Sequence, residues 1–456
     1  MTAPPKRRRM RRAALAALVS AGAVGTVGGG APAQDFDPDL NIEGKILSAT
    51  LSQRFEVNDN YNLDDPSPGT SYFTDTRVNL GFLNATDTQT FTLGLDTGLR
   101  ALWEAEEDFE FTVASPTSAN IGYVNEWASG IFDAALEVRQ RRVDYLDSID
   151  DFVTDEGALP DDLDQLERDT YELRYDADIG VAFATDSPSS YELRFLGTKI
   201  DYTEDTPDQT PRTTLEGQAT WNLRLNPVLS SVVFADYLTY DADNEADTSL
   251  QVAEIDGGFI YQPSENLFIR AGLGYADRKR EDTNAAGVRE TTQSDNGPSI
   301  RGNFRYTTDD LVFLGNARYT TAAPDPQFSG NLVGTYRLPR GNLRGRIFQN
   351  FTATNSGDNQ ARVTGASLGI VRDLNTLSRL GLDFSVAHQE DVDDVAGDPQ
   401  EPDINRVNVT ATYSYDITEV VTADIGYRYR SRDQDPESAQ SNAVFFQIGR
   451  TFETLP

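Results

Sequence analysis

The clearest pattern along the chain is the alternation of apolar and polar side chains over residues 170–183, TYELRYDADIGVAF. The odd-numbered positions from Tyr171 to Phe183 are apolar, and the even-numbered positions from Thr170 to Gly180 are polar or tiny. A period of two gives a β-strand with one apolar and one polar face. The segment is longer than an ordinary strand of about five or six residues, and it meets the roughly nine to eleven that a tilted strand needs to cross a bilayer. It therefore predicts a membrane strand whose apolar face meets lipid and whose charged face meets a watery lumen.

The same alternation recurs from residue 46 to residue 452. It predicts about twenty strands, within a range of roughly 18–22, so the expected fold is an all-β, antiparallel, up-and-down transmembrane β-barrel. Short turns rich in Asn, Asp, Pro and Gly alternate with longer acidic connections, such as 104–118 and 278–298. Outer-membrane barrels of bacteria have this asymmetry, with tight periplasmic turns and long outer loops. Both ends of the barrel are then expected on the periplasmic side.

The first residues have the composition of an export signal. Six basic residues between Lys6 and Arg12 precede a short apolar stretch, and Ala31-Pro32-Ala33 forms an A-x-A cleavage site. The predicted organisation is therefore a signal peptide over 1–33, a short periplasmic arm over 34–45, the barrel over 46–452 and a tail over 453–456. The expected location is the outer membrane of a Gram-negative bacterium.

Composition narrows the classes of partner and site. The chain has 39 Lys and Arg against 73 Asp and Glu, and removal of residues 1–33 would take away six basic side chains and no acid, leaving a net charge of about -40. Such acidity argues against a nucleic-acid partner. Cysteine is absent, so disulfides and thiolate metal sites are excluded. The mean hydropathy of -0.48 is that of a soluble protein, but alternating strands average their hydrophobicity away.

Aromatic residues support a membrane setting. Tyr336, Tyr413, Tyr415, Tyr427 and Tyr429 share the apolar face of their predicted strands and lie toward the strand ends. An interfacial girdle places aromatic side chains there, although aromatic residues also favour strands in general.

The last predicted strand, 442–452, has its own pattern. Val444, Phe446, Ile448 and Phe452 share one face, which resembles the C-terminal strand through which outer-membrane barrels bind their assembly machinery. Arg450 departs from this pattern because it lies on the apolar face.

The signal, the repeated strands with acidic connections, and an opening strand that runs into Asn58-Asp59-Asn60-Tyr61 resemble the beta-barrel porin type 2 proteins of Gram-negative bacteria. The resemblance covers essentially the whole mature chain. It implies an outer-membrane barrel with no particular substrate assigned.

Charged residues on the polar face predict what lines the lumen. Earlier strands carry acids beside arginines, including Glu172, Asp176 and Asp178. Later strands are dominated by arginine, with few acids in view to pair with them: Arg270, Arg301, Arg305, Arg318, Arg337, Arg344, Arg346, Arg406, Arg428 and Arg430. Such a wall would select ions. The alternative is that inward charges simply pair with their neighbours.

Two acidic segments are candidates for special roles. The connection 144–169 contains Asp161, Asp162 and Asp164 and is the third outer loop. By resemblance to general porins, it could fold inward and form a constriction. The alternative is a plain solvated loop. Residues 241–245 start like a calcium-binding EF-hand loop, but Ala246 and Val252 replace its glycine and glutamate. No metal site and no cofactor are predicted.

Catalysis has little support, because His388 is the only histidine and lies on the apolar face of its strand. We therefore expect a channel for passive diffusion of small polar or charged solutes, with outer-membrane lipid and small solutes or ions as partners, and no enzyme. The alternative is a structural or adhesive surface barrel, tied to exported polysaccharide, whose lumen is occluded. A soluble all-β protein such as a propeller is a third interpretation, which the long alternating strands argue against. Oligomeric state is left open.

Overall fold

The computed structural model describes residues 44–105, 109–114, 116–142, 171–203, 210–243, 247–284, 287–323, 326–353, 360–391, 403–434 and 437–454. The predicted signal peptide, 1–33, and residues 34–43 of the predicted arm lie outside these ranges. No helix within them is long and apolar enough to cross a membrane.

The described chain is a sequence of β-strands in which each strand pairs antiparallel with the next, except that β4 and β5 both pair with β3. The strands are β1 (Gly44–Asn58), β2 (Ser71–Ala85), β3 (Gln89–Trp103), β4 (Glu110–Val113), β5 (Thr117–Trp127), β6 (Gly130–Arg142), β7 (Tyr171–Phe183), β8 (Ser189–Tyr202), β9 (Arg212–Arg224), β10 (Leu229–Ala242), β11 (Ser249–Ser264), β12 (Leu267–Thr283), β13 (Arg289–Thr307), β14 (Leu311–Thr320), β15 (Gln327–Leu338), β16 (Gly341–Ala353), β17 (Gln360–Asp373), β18 (Ser378–Asp391), β19 (Ile404–Thr418), β20 (Val421–Gln434) and β21 (Glu437–Thr454).

The sheet closes on itself because β21 pairs with β1, from Leu47 opposite Thr454 to Asn58 opposite Ala443. Segments β4 and β5 both pair with β3, one above the other, so together they form a single barrel strand interrupted near Ala114. The fold is thus a closed antiparallel β-barrel of twenty strands, which confirms the predicted fold class. Closure leaves no sheet edge with unpaired backbone groups.

Successive residues along each strand point alternately out of the barrel and into its lumen. Large apolar side chains stay exposed on the outside: Leu273 is 69% exposed, and Phe195 and Ile347 are 60% exposed. The lumen face instead holds charged side chains that their neighbours cover, among them Glu172 and Arg430. The protein is therefore apolar outside and polar inside, the reverse of a soluble domain.

Aromatic side chains lie at two levels on the outside. On β15, Phe328 and Tyr336 are both exposed and lie eight residues apart, about 26 Å along the strand. Tyr415 lies on this face near the turn end of β19, and Tyr427 lies on it further toward the loop end of β20. The predicted girdle residues thus occupy the outward face. Arg450 also lies outside, with its guanidinium carbon 4.5 Å from the ring centre of Phe452.

Short turns join the strands at one end, and the longer connections lie at the other. The predicted connections 104–118 and 278–298 were wrong in part, because 110–113 forms β4, and β12 and β13 continue to Thr283 and from Arg289. In the outer part of the β12–β13 hairpin both faces are polar, so the period of two disappears while the backbone pairing continues. Segment β4 keeps the alternation, with Phe111 and Val113 outward, but over only four residues. The barrel strands also begin at Gly44 and end at Thr454, two residues outside the predicted bounds at each end.

The outward face generates a test of membrane insertion. Ile347 lies at the centre of β16 on the apolar belt, so Ile347→Arg is expected to cost about 2–4 kcal/mol of folding free energy in lipid vesicles. Asn316→Arg introduces the same side chain on the lumen face and should cost much less. The folded fraction is measured from heat-modifiable gel migration across a urea titration. Equal costs for the two variants would contradict the assignment of the faces.

Candidate functional site

The predicted lining residues all belong to the lumen face of their strands. Residues paired across two neighbouring strands point to the same face of the sheet. The predicted lining residues all point to the face that does not carry the exposed apolar belt. It includes Arg270, Arg301, Arg305, Arg318, Arg337, Arg344, Arg346, Arg406, Arg428, Arg430, Glu172, Asp176 and Asp178. The candidate loop residues Asp161, Asp162 and Asp164 lie outside the described residues. The candidate site is therefore the charged lumen wall.

One part of the wall, formed by β6, β7 and β8, holds paired charges. Its ion pairs are Arg141–Glu172 at 2.8 Å, Arg174–Asp176 at 2.9 Å and Arg194–Asp178. The three predicted acids each bind an arginine, so the pairing alternative describes this wall. We call it the paired wall, because each of these three arginines has a carboxylate partner.

A second group of charges spans β11 to β14. Glu254 accepts from Arg318 at 2.6 Å and from Arg301 at 3.0 Å, while Asp256 lies 3.7 Å from Arg301 and 4.0 Å from Arg270. The expectation that the later arginines have few partners was therefore wrong for these three. The two acids are not among the predicted lining residues, although they lie on the polar face of the alternating strand β11 and the same period of two places them there.

Phe234 on β10 holds this group together. Its ring lies 4.3 Å from the guanidinium carbon of Arg301 and 5.0 Å from that of Arg270, and it is only 3% exposed. The carboxylate of Asp256 lies over Gly272, where a Cβ would come within 2.6 Å of its oxygen. Stacked arginines and a space that only glycine leaves open fix the positions of these charges.

A third group lies where the barrel closes. Glu56 on β1 is almost fully buried and accepts from Arg54 at 2.5 Å and from Arg428 of β20. Arg430 donates to the backbone carbonyl of Tyr61 at 3.1 Å. Arg428 is thus neutralised by an acid from the first strand, a partner nearly the whole chain length away in sequence.

The first outer loop, residues 59–70, folds back into the lumen, and we call it the inner strap. The ring of Tyr61 packs edge-on against Phe73, with centroids 5.6 Å apart. Arg100 donates to the Tyr61 hydroxyl at 2.6 Å and binds Asp75 at 2.7 and 2.9 Å. These contacts bury the tyrosine almost completely.

Further contacts hold the inner strap against β21, on the other side of the β1–β21 pairing that closes the barrel. Leu63 packs on Ala439 of β21, and the Asn60 side chain donates to the Gln440 carbonyl at 3.1 Å. The inner strap therefore crosses the lumen face of β1 to β3 and β20 to β21 and narrows the outer mouth. The sequence expectation placed a constriction in the third outer loop, whose residues are not described. The first loop does fold inward, which was not predicted from the sequence.

Three of the remaining predicted arginines differ from these groups in having no carboxylate partner among the described residues. Within the described ranges, Arg305, Arg337 and Arg344 have no carboxylate within 4.0 Å; the Arg305 guanidinium carbon lies 5.6 Å from the Phe268 ring centre. They lie on β13, β15 and β16, nearly opposite the paired wall in the closed barrel. We call this part of the lumen the arginine wall. It leaves positive charge facing the water of the lumen.

The histidine lies away from the lumen. His388 faces outward near the loop end of β18, with Nδ1 2.9 Å from the Asn405 side-chain oxygen. In the part of the chain that the structure describes, no three His, Asp or Glu side chains are grouped to hold a metal ion. The described charges that could act on a solute therefore lie on the lumen wall, and His388 is not among them.

Comparisons with known proteins gave structural similarities only. No family model and no curated protein matches the chain. Similar solved structures include the siderophore receptor PiuA from Acinetobacter baumannii, at 7% identity and TM-score 0.49, covering 90% of this chain and 82% of that one. The copper transporter OprC is 11% identical over 90% of this chain and 80% of that one, with a TM-score of 0.47. OccK5 of Pseudomonas aeruginosa is 10% identical over 90% and 99%, with a TM-score of 0.37. The resemblance to the porin type 2 family stays a prediction.

The attachment of the inner strap to the lumen wall can be tested without assuming that the protein transports anything. Tyr61→Ala removes the ring between Phe73 and Leu102 and the hydroxyl bonded to Arg100, so residues 59–70 should detach from the wall. Proteinase K added to intact cells is expected to cut this loop at least tenfold faster than in the parent, because the loop loses packing worth more than about 1.4 kcal/mol.

The matched control is Tyr61→Phe, which keeps the ring and loses only the hydroxyl. Its cleavage should stay near the parent rate. Equal, slow cleavage of the parent and the alanine variant would mean that other contacts hold the loop.

Proposed function

We propose that this protein is a bacterial outer-membrane channel through which small polar or charged solutes diffuse passively, with anions preferred over cations. The single observation that carries the preference is the arginine wall, where Arg305, Arg337 and Arg344 face the lumen without a carboxylate partner in the described ranges. The closed barrel with an apolar exterior and a polar interior supports the membrane location.

The dimensions of the barrel support a water-filled path. Twenty tilted strands about 4.8 Å apart give a backbone wall roughly 40 Å across. Side chains and the inner strap occupy part of this width. Inward charges keep the rest wet, because a charged wall holds water and counter-ions.

Selectivity follows from the difference between the two sides of the lumen. On the paired wall, Arg141, Arg174 and Arg194 each have a negative neighbour, so the field of each pair falls off within a short distance. The arginine wall has an excess of positive charge, and at physiological salt its field extends about 8 Å into the lumen. Anions are therefore concentrated along this side, and cations are depleted.

The remaining parts of the proposal concern export and assembly. Residues 1–33 act as a cleaved export signal, and the parts of the predicted arm and tail outside the barrel strands, 34–43 and 455–456, remain in the periplasm. The outward residues Val444, Phe446, Ile448 and Phe452 present the last strand to the barrel assembly machinery. Outer-membrane lipid surrounds the apolar belt.

The anion preference is tested by reversing charge on the arginine wall. Replacing Arg344 and Arg346 with glutamate should move the reversal potential in a tenfold potassium chloride gradient toward the value for cations, because two lumen charges change sign. The measurement is single-channel recording of refolded protein in a planar bilayer, where the parent is expected to show stable steps of about nanosiemens size.

The matched control is Arg340→Glu with Arg372→Glu, which makes the same change in charge at the turn end and outside the lumen. It should leave the reversal potential close to that of the parent. A parent channel that prefers cations, or no shift in the double lumen variant, would refute the role of the arginine wall. Folded, inserted protein that never conducts would favour the structural barrel with an occluded lumen.

A further inference from the structure

Two side chains break the rule that exposed large apolar residues face outward. Along the described strands, Val312 and Leu314 on β14 are 36% and 42% exposed and yet lie on the lumen face. Their orientation follows from the ladder, because Leu314 is opposite Arg305 and shares its face with Arg318, which binds Glu254. The lumen thus contains an apolar patch in contact with its water.

The neighbours of this patch extend it and surround it with arginine. Val333 on β15 is directly opposite Leu314 and adds a third apolar side chain. Arg305 is opposite Leu314 on the other side, and Arg346 is opposite Val333. One register row therefore reads Arg305, Leu314, Val333, Arg346 across four neighbouring strands, so two guanidinium groups bracket an apolar floor.

The next row toward the turns continues the same arrangement. Val312 lies between Thr307 and Thr335, and Arg344 is opposite Thr335. Neither Arg305 nor Arg344 has a carboxylate within 4.0 Å in the described ranges, so their charge is available to a solute. The backbones of Arg305 and Arg346 are three strands apart, roughly 14 Å, which leaves room for a small molecule between them.

The apolar patch and the arginines beside it together determine which class of solute can bind. An inorganic anion would gain from the arginines and nothing from Leu314 and Val333. A neutral apolar molecule would gain from burial and nothing from the arginines. We propose that this patch binds small amphipathic organic anions, in which a carboxylate pairs with guanidinium and an aromatic or aliphatic group covers the apolar floor.

This inference deepens the proposed function, because it names the class of anion that the channel concentrates. A comparison with the paired wall shows why only this part of the lumen suits such an anion. Leu196 on β8 also faces the lumen, but its opposite neighbours are Asp178, which is paired with Arg194, and Glu216, so carboxylates rather than arginines flank it. An apolar residue in the lumen is therefore not sufficient, and the flanking arginines decide the ligand.

The experiment uses benzoate and acetate as probes, since they share a carboxylate and differ in apolar area. Binding to the folded, detergent-solubilised full chain is measured by isothermal titration calorimetry, which needs no ion flow. In the parent, benzoate should bind at least tenfold more tightly than acetate, because covering roughly 50 Å² of apolar surface gives about that factor. Benzoate should also reduce the chloride current in planar bilayers.

Variants separate the two halves of the site. Leu314→Asn should weaken benzoate about tenfold and leave acetate unchanged, because only the apolar contact is lost. Arg305→Gln should weaken both probes. Leu196→Asn makes the same substitution on the paired wall and should change neither, which controls for any general effect of a polar residue in the lumen.

The outcomes distinguish this inference from the proposed function. A conducting, anion-preferring channel that binds benzoate and acetate equally overturns the inference and leaves the proposed function standing. Benzoate binding to a folded barrel that never conducts supports the site and overturns the passive channel. If benzoate binds only after deletion of residues 34–43, the acidic and apolar N-terminal arm occupies the patch, and the proposal of a solute site is wrong.

Discussion

Closure of the backbone hydrogen-bond ladder is the constraint on which the rest of this structure depends. A strand in lipid has no water to satisfy its N–H and C=O groups, so each strand must have a partner on both sides. The pairing of β1 with β21 gives each of these two strands its second partner and joins the first strand of the barrel to the last. It also brings Glu56 beside Arg428, so the seam is held by buried charge as well as by backbone bonds.

Once the sheet is closed, alternation divides every strand between two solvents. The outer face can be apolar throughout because lipid covers it, whereas the inner face must be wet or internally paired. Most inward charges whose contacts are described here do pair, as in the groups around Glu254 and Glu56. Leaving one member of such a pair unpartnered and buried would be costly, so arginines without a carboxylate must face water or a solute.

The inner strap makes the two ends of the lumen different, and the paired wall and the arginine wall make its two sides different. At the outer mouth, the loop 59–70 is anchored through Tyr61 to Arg100 and Arg430. Deeper in the lumen, a paired wall faces an arginine wall that contains an exposed apolar patch. In the proposed channel, a solute that enters from outside would pass the inner strap and then meet the arginine wall with its apolar patch.

The sequence by itself determined the barrel, its lumen and lipid faces and the inward position of every predicted arginine, because a period of two depends only on local backbone geometry. It also located most strand ends to within a few residues, failing at 104–118, where β4 is only four residues long, and at 278–298, where both faces of the hairpin are polar. The last strand begins at Glu437 rather than at the predicted residue 442. Only the tertiary structure decided which charges meet. Glu56 with Arg428, and the inner strap with Arg430, are contacts between residues far apart in the chain, made possible by closure. Which arginines remain without a carboxylate, and that Val312 and Leu314 lie among them, depends on the register between strands, which alternation does not specify.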